Sequence, residues 1–319
     1  MADIHHLVRT HGRDEARRLV DVKDRTLVDI AAAVLEDESK ELGITYSGFC
    51  LTALPHKKLP DDQEWTRKGH KVTLVVQPGF LPAGRNKEPK KYGVPYGSRA
   101  RLILLYLQTQ AVQNNSPEVE LGRSMNDWLE RMGLSNGGQA YKDVREQANR
   151  LSACNLTFMW DEDNDGAGFE KDSIIKGGGL RLHTGDPSQP RLWTDKIRLS
   201  PTFYTALRDH PVPIWEPALK HIANQSMAID LYIWLAYRLH HLSRPTPVSW
   251  AALHAQFGAN YSILRQFKYR FVDVLKMALV VYPEAVVTED ANGLVLHPSP
   301  PPIPEKQIAA PRQGSLLLG

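Results

Sequence analysis

The feature that most constrains this chain is an order of elements that occurs twice. In the first copy, apolar spacing predicts a helix from Ser98 to Val112 that buries Leu102, Leu105 and Tyr106, then a short strand at Val119 to Leu121. Ser124 caps a second helix, with Asp127 completing a capping box, and that helix carries Trp128 and Leu129 before stopping at Gly133. After a turn at Ser135 to Gly138, a third helix from Gln139 to Cys154 sets Tyr141, Val144, Ala148 and Leu151 on one face. In the second copy, Met227 to His241 forms the long helix, Pro245 and Pro247 break the chain, and Ser249 caps a short helix carrying Trp250, Leu253 and Phe257. Gly258 to Tyr261 is the turn and Ser262 to Leu279 the third helix. Val280 to Val287 and Leu294 to His297 then form a hairpin about Glu289 to Gly293.

Helix, helix, turn, helix, hairpin is the order of a winged helix, a helix-turn-helix variant whose third helix enters the major groove of DNA. The repeat is one of architecture, so no fixed residue period betrays it. The expected fold class is α+β: two tandem winged-helix domains, with N-terminal helices and extra strands joined to the first. Arg13 to Leu42 supplies one or two amphipathic helices, and Ile44 to Leu54 and Lys71 to Val76 read as strands. Leu81 to Tyr96 is a basic connector whose Pro and Gly residues forbid a long regular element. Strands at Asn155 to Trp160 and Ile197 to Ser200 bracket a Gly- and Asp-rich excursion. The expected divisions are a helical segment at 1–42, a first winged-helix domain at 43–210, a second at 217–297, and a Pro-rich disordered tail at 298–319.

At 319 residues with 42% hydrophobic content, two packed cores are the natural starting point. The first twenty residues carry charges and histidines throughout, unlike a secretory signal, and no window approaches eighteen apolar residues. Cys50 and Cys154 stand far apart in apolar surroundings, as buried free thiols do, so a cytoplasmic setting is expected. The net charge of +3 says little by itself, because affinity for a polyanion depends on where charge lies. The stretch from His56 to Arg101 is basic, with Lys57, Lys58, Arg67, Lys68, Lys71, Arg85, Lys87, Lys90, Lys91, Arg99 and Arg101.

Enzymatic chemistry is not expected. A rolling-circle nicking enzyme holds its metal through a His-hydrophobe-His motif, whereas His5-His6 and His240-His241 are adjacent pairs, whose side chains are expected to point apart. Gly177-Gly-Gly179 is followed by Leu180 and lacks the Lys and Ser or Thr of a nucleotide-binding loop. No catalytic residue, cofactor or metal is assigned.

The third helix of the second copy is the expected DNA reader. A helical wheel sets Leu264, Phe267, Phe271, Val274, Leu275 and Ala278 on the core side and Arg265, Lys268, Tyr269, Val272 and Lys276 opposite, with Gln266 and Arg270 on the flank. Asp273 is the sole acid there. Arg forks onto guanine and Gln onto adenine, while Lys and Tyr reach phosphates. The equivalent helix of the first copy offers Lys142, Arg145 and Asn149, but Asp143 and Glu146 intrude. Dimerisation therefore suits that domain at least as well, through the strands Ile44 to Leu54 and Lys71 to Val76.

One long stretch, Tyr92-Gly-Val-Pro-Tyr-Gly-Ser-Arg-Ala-Arg-Leu-Ile-Leu-Leu-Tyr-Leu-Gln-Thr-Gln-Ala111, resembles the signature of the RepA-type plasmid replication initiators. The resemblance continues through Val119-Glu-Leu-Gly-Arg-Ser124, Gly137-Gly138, Arg145-Glu-Gln-Ala-Asn-Arg-Leu151, Ala53-Leu-Pro-His56 and Val76-Gln-Pro-Gly79. It implies tandem winged helices that bind repeated double-stranded DNA sequences (iterons) at an origin. It also implies repression of the initiator's own gene by a dimer, and recruitment of host initiator and helicase proteins. Carried over, it assigns groove contact to the Arg265 to Arg270 face and dimerisation to the first domain. The Asp161 to Gly179 excursion departs from that pattern, being longer and more acidic than a simple wing. A winged-helix transcriptional repressor is the main alternative, since fold does not fix function; a protein-binding scaffold is another.

Overall fold

A computed structural model describes residues 4–39, 41–69, 71–83, 87–120, 130, 133–134, 138–161, 167–178 and 196–303. The expected helix over Ser124 to Leu129 and the turn at Ser135 to Gly137 lie outside the described residues. The architecture is mixed, with helices packed among small sheets.

Two helices that are buried on nearly every side occupy the centre. They are α4 (Gly97–Gln113) and α8 (Ser226–Leu239), in which every residue from Ala100 to Thr109 and from Met227 to Ala236 is buried. A helix enclosed by the chain must find partners within it for every polar group it carries. The polar groups buried in α4 serve the backbone of its neighbours. Strand β1 (Leu42–Tyr46) pairs with β11 (Pro211–Trp215) along one edge, and α4 satisfies the other. The Gln108 carboxamide oxygen accepts from Tyr46 N at 2.7 Å and the Thr109 hydroxyl from Ile44 N at 2.8 Å, leaving no open ladder.

This overturns the extendable sheet expected of Ile44 to Leu54 and Lys71 to Val76. Beyond β1, residues Ser47–Leu51 form a short buried helix, α3; a short apolar run does not by itself distinguish a buried strand from a helix. Strand β3 (Val72–Gln77) is interior to a sheet of order β2-β3-β7-β8, where β2 is Trp65–Lys68, β7 Asn155–Asp161 and β8 Ala167–Asp172. Strand β2 falls in the polar stretch between those two expected strands, and β8 in the Gly- and Asp-rich excursion. That excursion also contributes β9 (Ile175–Gly178), paired to β10 (Lys196–Leu199), which pairs in turn with β6 (Glu118–Glu120).

The N-terminal helices differ most from expectation. Helix α1 (Ile4–Leu19), broken at Gly12, and α2 (Arg25–Glu36) pack together, and Asp29 accepts from Arg13 and Arg17. They rest on the second copy, where His5 Nε2 meets the Val280 carbonyl at 2.9 Å. The two copies therefore do not keep separate cores: one buried apolar cluster runs from Leu27 to Ile303. Its last member also moves the expected tail boundary. Ile303 is buried, Ser299 N donates to Leu239 O, and the Tyr282 hydroxyl donates to Pro300 O at 2.6 Å. A proline-rich strand lacks donors, yet its carbonyls still accept and its rings still pack.

Candidate nucleic-acid interface

Ser249 begins the second copy's compact unit: its hydroxyl accepts from Ala252 N at 3.2 Å and starts α9 (Trp250–Phe257). Just before it, Pro247 sits in β12 (Thr246–Ser249) rather than breaking the chain; β12 is an edge strand, where a missing N–H is tolerated. The turn after α9 is fastened by His254 Nε2 against Tyr261 O at 2.7 Å. Helix α10 (Leu264–Val280) follows, then β13 (Val287–Glu289) and β14 (Gly293–Leu296). The expected hairpin forms about Asp290, whose carboxylate accepts from Asn292 N and Gly293 N. Its first strand is shorter than expected, because Val280 ends the helix and Pro283 falls in the turn beyond.

Helix α10 is held by Phe267, Phe271, Leu275 and Ala278, all fully buried. Phe271 meets Trp250 edge-on at 6.0 Å and Phe257 at 5.8 Å, and Phe257 meets Trp234 of α8. Leu264, assigned to the core by the helical wheel, is instead 40% exposed beside the exposed Ile263, at the first residue of α10.

The outward face divides in two. Over the first two turns, Arg265, Gln266, Tyr269 and Arg270 are exposed and, with Tyr261, line a shallow concavity. The Tyr269 ring is 70% exposed with the Arg270 guanidinium 5.9 Å from its centre. Among the described residues neither arginine meets a carboxylate. Lys268 turns aside, half-buried, with its ammonium 5.1 Å over Trp250 at the start of α9. Over the last turns the face is covered. Val272 and Lys276 line a groove against Ile4, His5 and Asp24, and Lys276 Nζ lies 3.4 Å from the Asp24 carboxylate. Lys276 is thus engaged within the chain and does not share the open surface with Arg265.

The matching helix of the first copy, α5 (Gly138–Ala153), uses its charges differently. Lys142 is exposed, but Arg145 and Asn149 are half-buried. Asp143 accepts from Gln139, and Arg150 is 1% exposed, bound to Glu146 at 2.7 Å, Asp61 at 2.5 Å and the Val94 carbonyl. The Tyr96 ring lies 5.2 Å from that guanidinium. Gly93 is required here: a side chain would come within 2.6 Å of Arg150 and 2.8 Å of Asp61.

The Tyr92 to Arg101 stretch is therefore a joint. At its far end Arg101, 5% exposed, binds Asp230 of α8 through two bonds of 2.6 and 2.7 Å and donates to the Leu54, Pro55 and Gly97 carbonyls. Arg99 reaches Asn224 at 2.7 Å. His56 completes the cluster, with Nδ1 2.9 Å from the Ser226 hydroxyl and Nε2 3.8 Å from Asp230. Burial, then the Arg101 and Arg67 cations, hold the imidazole neutral, its pKa lowered to about 2. Burial also pushes the Asp230 carboxyl up, against the pull of Arg101. No spacing rule could have paired Arg101 with Asp230, 129 residues apart. The only signal is the type: a charge in an otherwise apolar helix requires a partner.

Residues 94–251 match the family model described as plasmid encoded RepA protein. The match spans α4 to the start of α9 and ends before α10. Among solved structures, the chain is similar to a crystal structure of selenomethionine derivatives of domains 2 and 3 of RctB, at 12% identity and a TM-score of 0.47. That alignment covers 78% of this chain and 94% of the other. A second crystal structure of RctB domains 2–3 aligns at 14% identity and a TM-score of 0.44, covering 77% and 93%. No curated protein matches the chain.

Proposed function

The chain belongs to the plasmid-encoded RepA family of replication initiators through residues 94–251, and from that premise we propose that it binds repeated double-stranded sequences at a plasmid origin. On this reading each copy of the element order is a winged helix, and α10 of the second reads the major groove. The observation that carries it is the open face of the first two turns of α10, where Arg265, Gln266, Tyr269 and Arg270 are exposed together. Arg and Gln are the side chains that fork onto guanine and adenine edges, and the N-terminal part of such a helix lies deepest in the groove. Lys268 has the place of a phosphate contact: its ammonium stands over Trp250 at the start of α9, beside the open face.

Repression of its own gene in the cytoplasm, recruitment of host initiator and helicase proteins, and a binding role without a catalytic step belong to the same reading. Dimerisation through the first copy stays part of it, but β1 and β3 have no free edge. The contact then falls to an outer strand of the four-stranded sheet, such as β8.

Selection of bound duplexes from a random-sequence pool, followed by footprinting on plasmid DNA, tests the proposal. Enrichment of one repeated motif and protection of tandem copies of it is the expected result. A pool that stays unselected, or unchanged affinity for the selected motif in an Arg265→Ala and Arg270→Ala double variant, overturns it.

A further inference from the structure

A second cationic surface lies away from α10, on the hairpin formed by β4 (Gly79–Leu81) and β5 (Lys90–Tyr92). Its base is rigid. A side chain at Gly79 would stand 1.7 Å from the Ala153 carbonyl, so the strand is seated directly on the end of α5, and Gly93 closes the other strand against Asp61 and Arg150. The outer part is open. Phe80 is 61% exposed, a position where a large ring contributes little to the core. Phe80 faces Lys91 across the ladder, and the Lys91 ammonium lies 6.0 Å from its ring; Lys90 stands 4.9 Å over Tyr92 on the same strand. Lys87, Lys90 and Lys91 are all exposed, and Glu88 is the one acid between them. Among the described residues, none of these lysines meets a carboxylate.

An exposed ring with ammonium groups beside it, on a clamped hairpin, suits a ligand that alternates flat apolar faces with anions. An unpaired nucleic-acid strand is such a ligand: its bases stack on aromatic side chains and its phosphates meet lysines. A duplex would use the lysines alone, since its base faces are already stacked on one another. From this geometry we infer that the β4–β5 hairpin is a second nucleic-acid contact, one that takes an unpaired strand, with Phe80 stacking on a base and Lys90 and Lys91 on flanking phosphates.

The test measures binding of the full chain to a fluorescent oligothymidine and to a random-sequence duplex at several salt concentrations. Phe80→Ala is expected to weaken oligothymidine binding by about five-fold or more without changing its salt dependence, because lost stacking releases no counterions. Phe80→Trp should retain binding, with indole fluorescence quenched by the strand. Lys90→Ala with Lys91→Ala should lower the log-log salt slope by roughly 0.7 per lost phosphate. Thermal unfolding controls for folding, and Arg265→Ala should leave oligothymidine binding intact, which separates this surface from α10. Absence of oligothymidine binding by the unmodified chain overturns the inference. So does unchanged affinity in Phe80→Ala, or an equal loss of duplex binding in that variant, which would make the hairpin a duplex contact.

Discussion

Helices α5 and α10, to which the sequence pattern gives the same place in a repeated order of elements, spend their cations in opposite ways. In α5 the principal arginine, Arg150, is buried and tied to Glu146, Asp61 and the Val94 carbonyl, so its charge fixes the connector against the helix. In α10 Arg265 and Arg270 of the first two turns are exposed, and the buried residues are phenylalanines and aliphatics. A cation committed to carboxylates and carbonyls has no capacity left for phosphate or base. A cation with no internal partner costs nothing in water and stays available. Position in the motif does not decide which helix can read DNA; what packs around its charges does.

The widest break in that contrast would come from the committed class. Asp230→Ala leaves Arg101 buried without its carboxylate and should lower unfolding free energy by about 3 to 5 kcal/mol, measured by denaturant titration. If it unfolds no more readily than Arg265→Ala, the division into committed and free cations fails. Next in size, Arg265→Ala should weaken binding to the selected duplex by about 1 to 3 kcal/mol while changing stability by within about 0.5 kcal/mol. Lys142→Ala, at the corresponding surface of α5, should leave specific affinity unchanged; an equal loss there would make the two helices alike.

The joint also makes stability depend on pH. His56 is neutral in the folded chain, with its pKa lowered to about 2, whereas the unfolded chain protonates it near the ordinary histidine value of about 6.5. Between those values the unfolded state binds the extra proton, so stability is full above about pH 6.5. It falls as pH drops, by up to about 1.4 kcal/mol per pH unit. His56→Gln should flatten that descent relative to the unmodified chain, and parallel profiles would mean another group governs it.

The smallest effect sharpens the boundary within α10 itself. Lys276→Ala should cost about 0.2 to 1 kcal/mol of stability through its pair with Asp24 and leave the salt slope of duplex binding unchanged. Lys268→Ala should lower that slope by about 0.9. An equal lowering of the slope in the two variants would show that α1 and α2 leave the helix when DNA binds, and no change in either would show that Lys268 does not meet phosphate.

Local order was written in the sequence. The helical spacing of Leu102, Leu105 and Tyr106, the Ser249 cap, the Phe267 and Phe271 face and the Asp290 turn each depend on residues a few positions apart, and each forms near where it was expected. Helical spacing also placed Arg265 opposite the core and Gln266 and Arg270 on its flank. Only the tertiary structure decided which outward cations remain open. A helical wheel records a side chain's angle about its own axis and carries no information on a segment that arrives from elsewhere. Lys276 meets Asp24 across 252 residues and Arg101 meets Asp230 across 129. The same limit hid the fate of Ile44 to Leu54, whose apolar run suited a strand or a buried helix equally until α4 and β11 closed around it. Short-range chemistry chooses the elements, but the burial of long-range partners, set by how those elements pack, chooses which charges are left to meet a ligand.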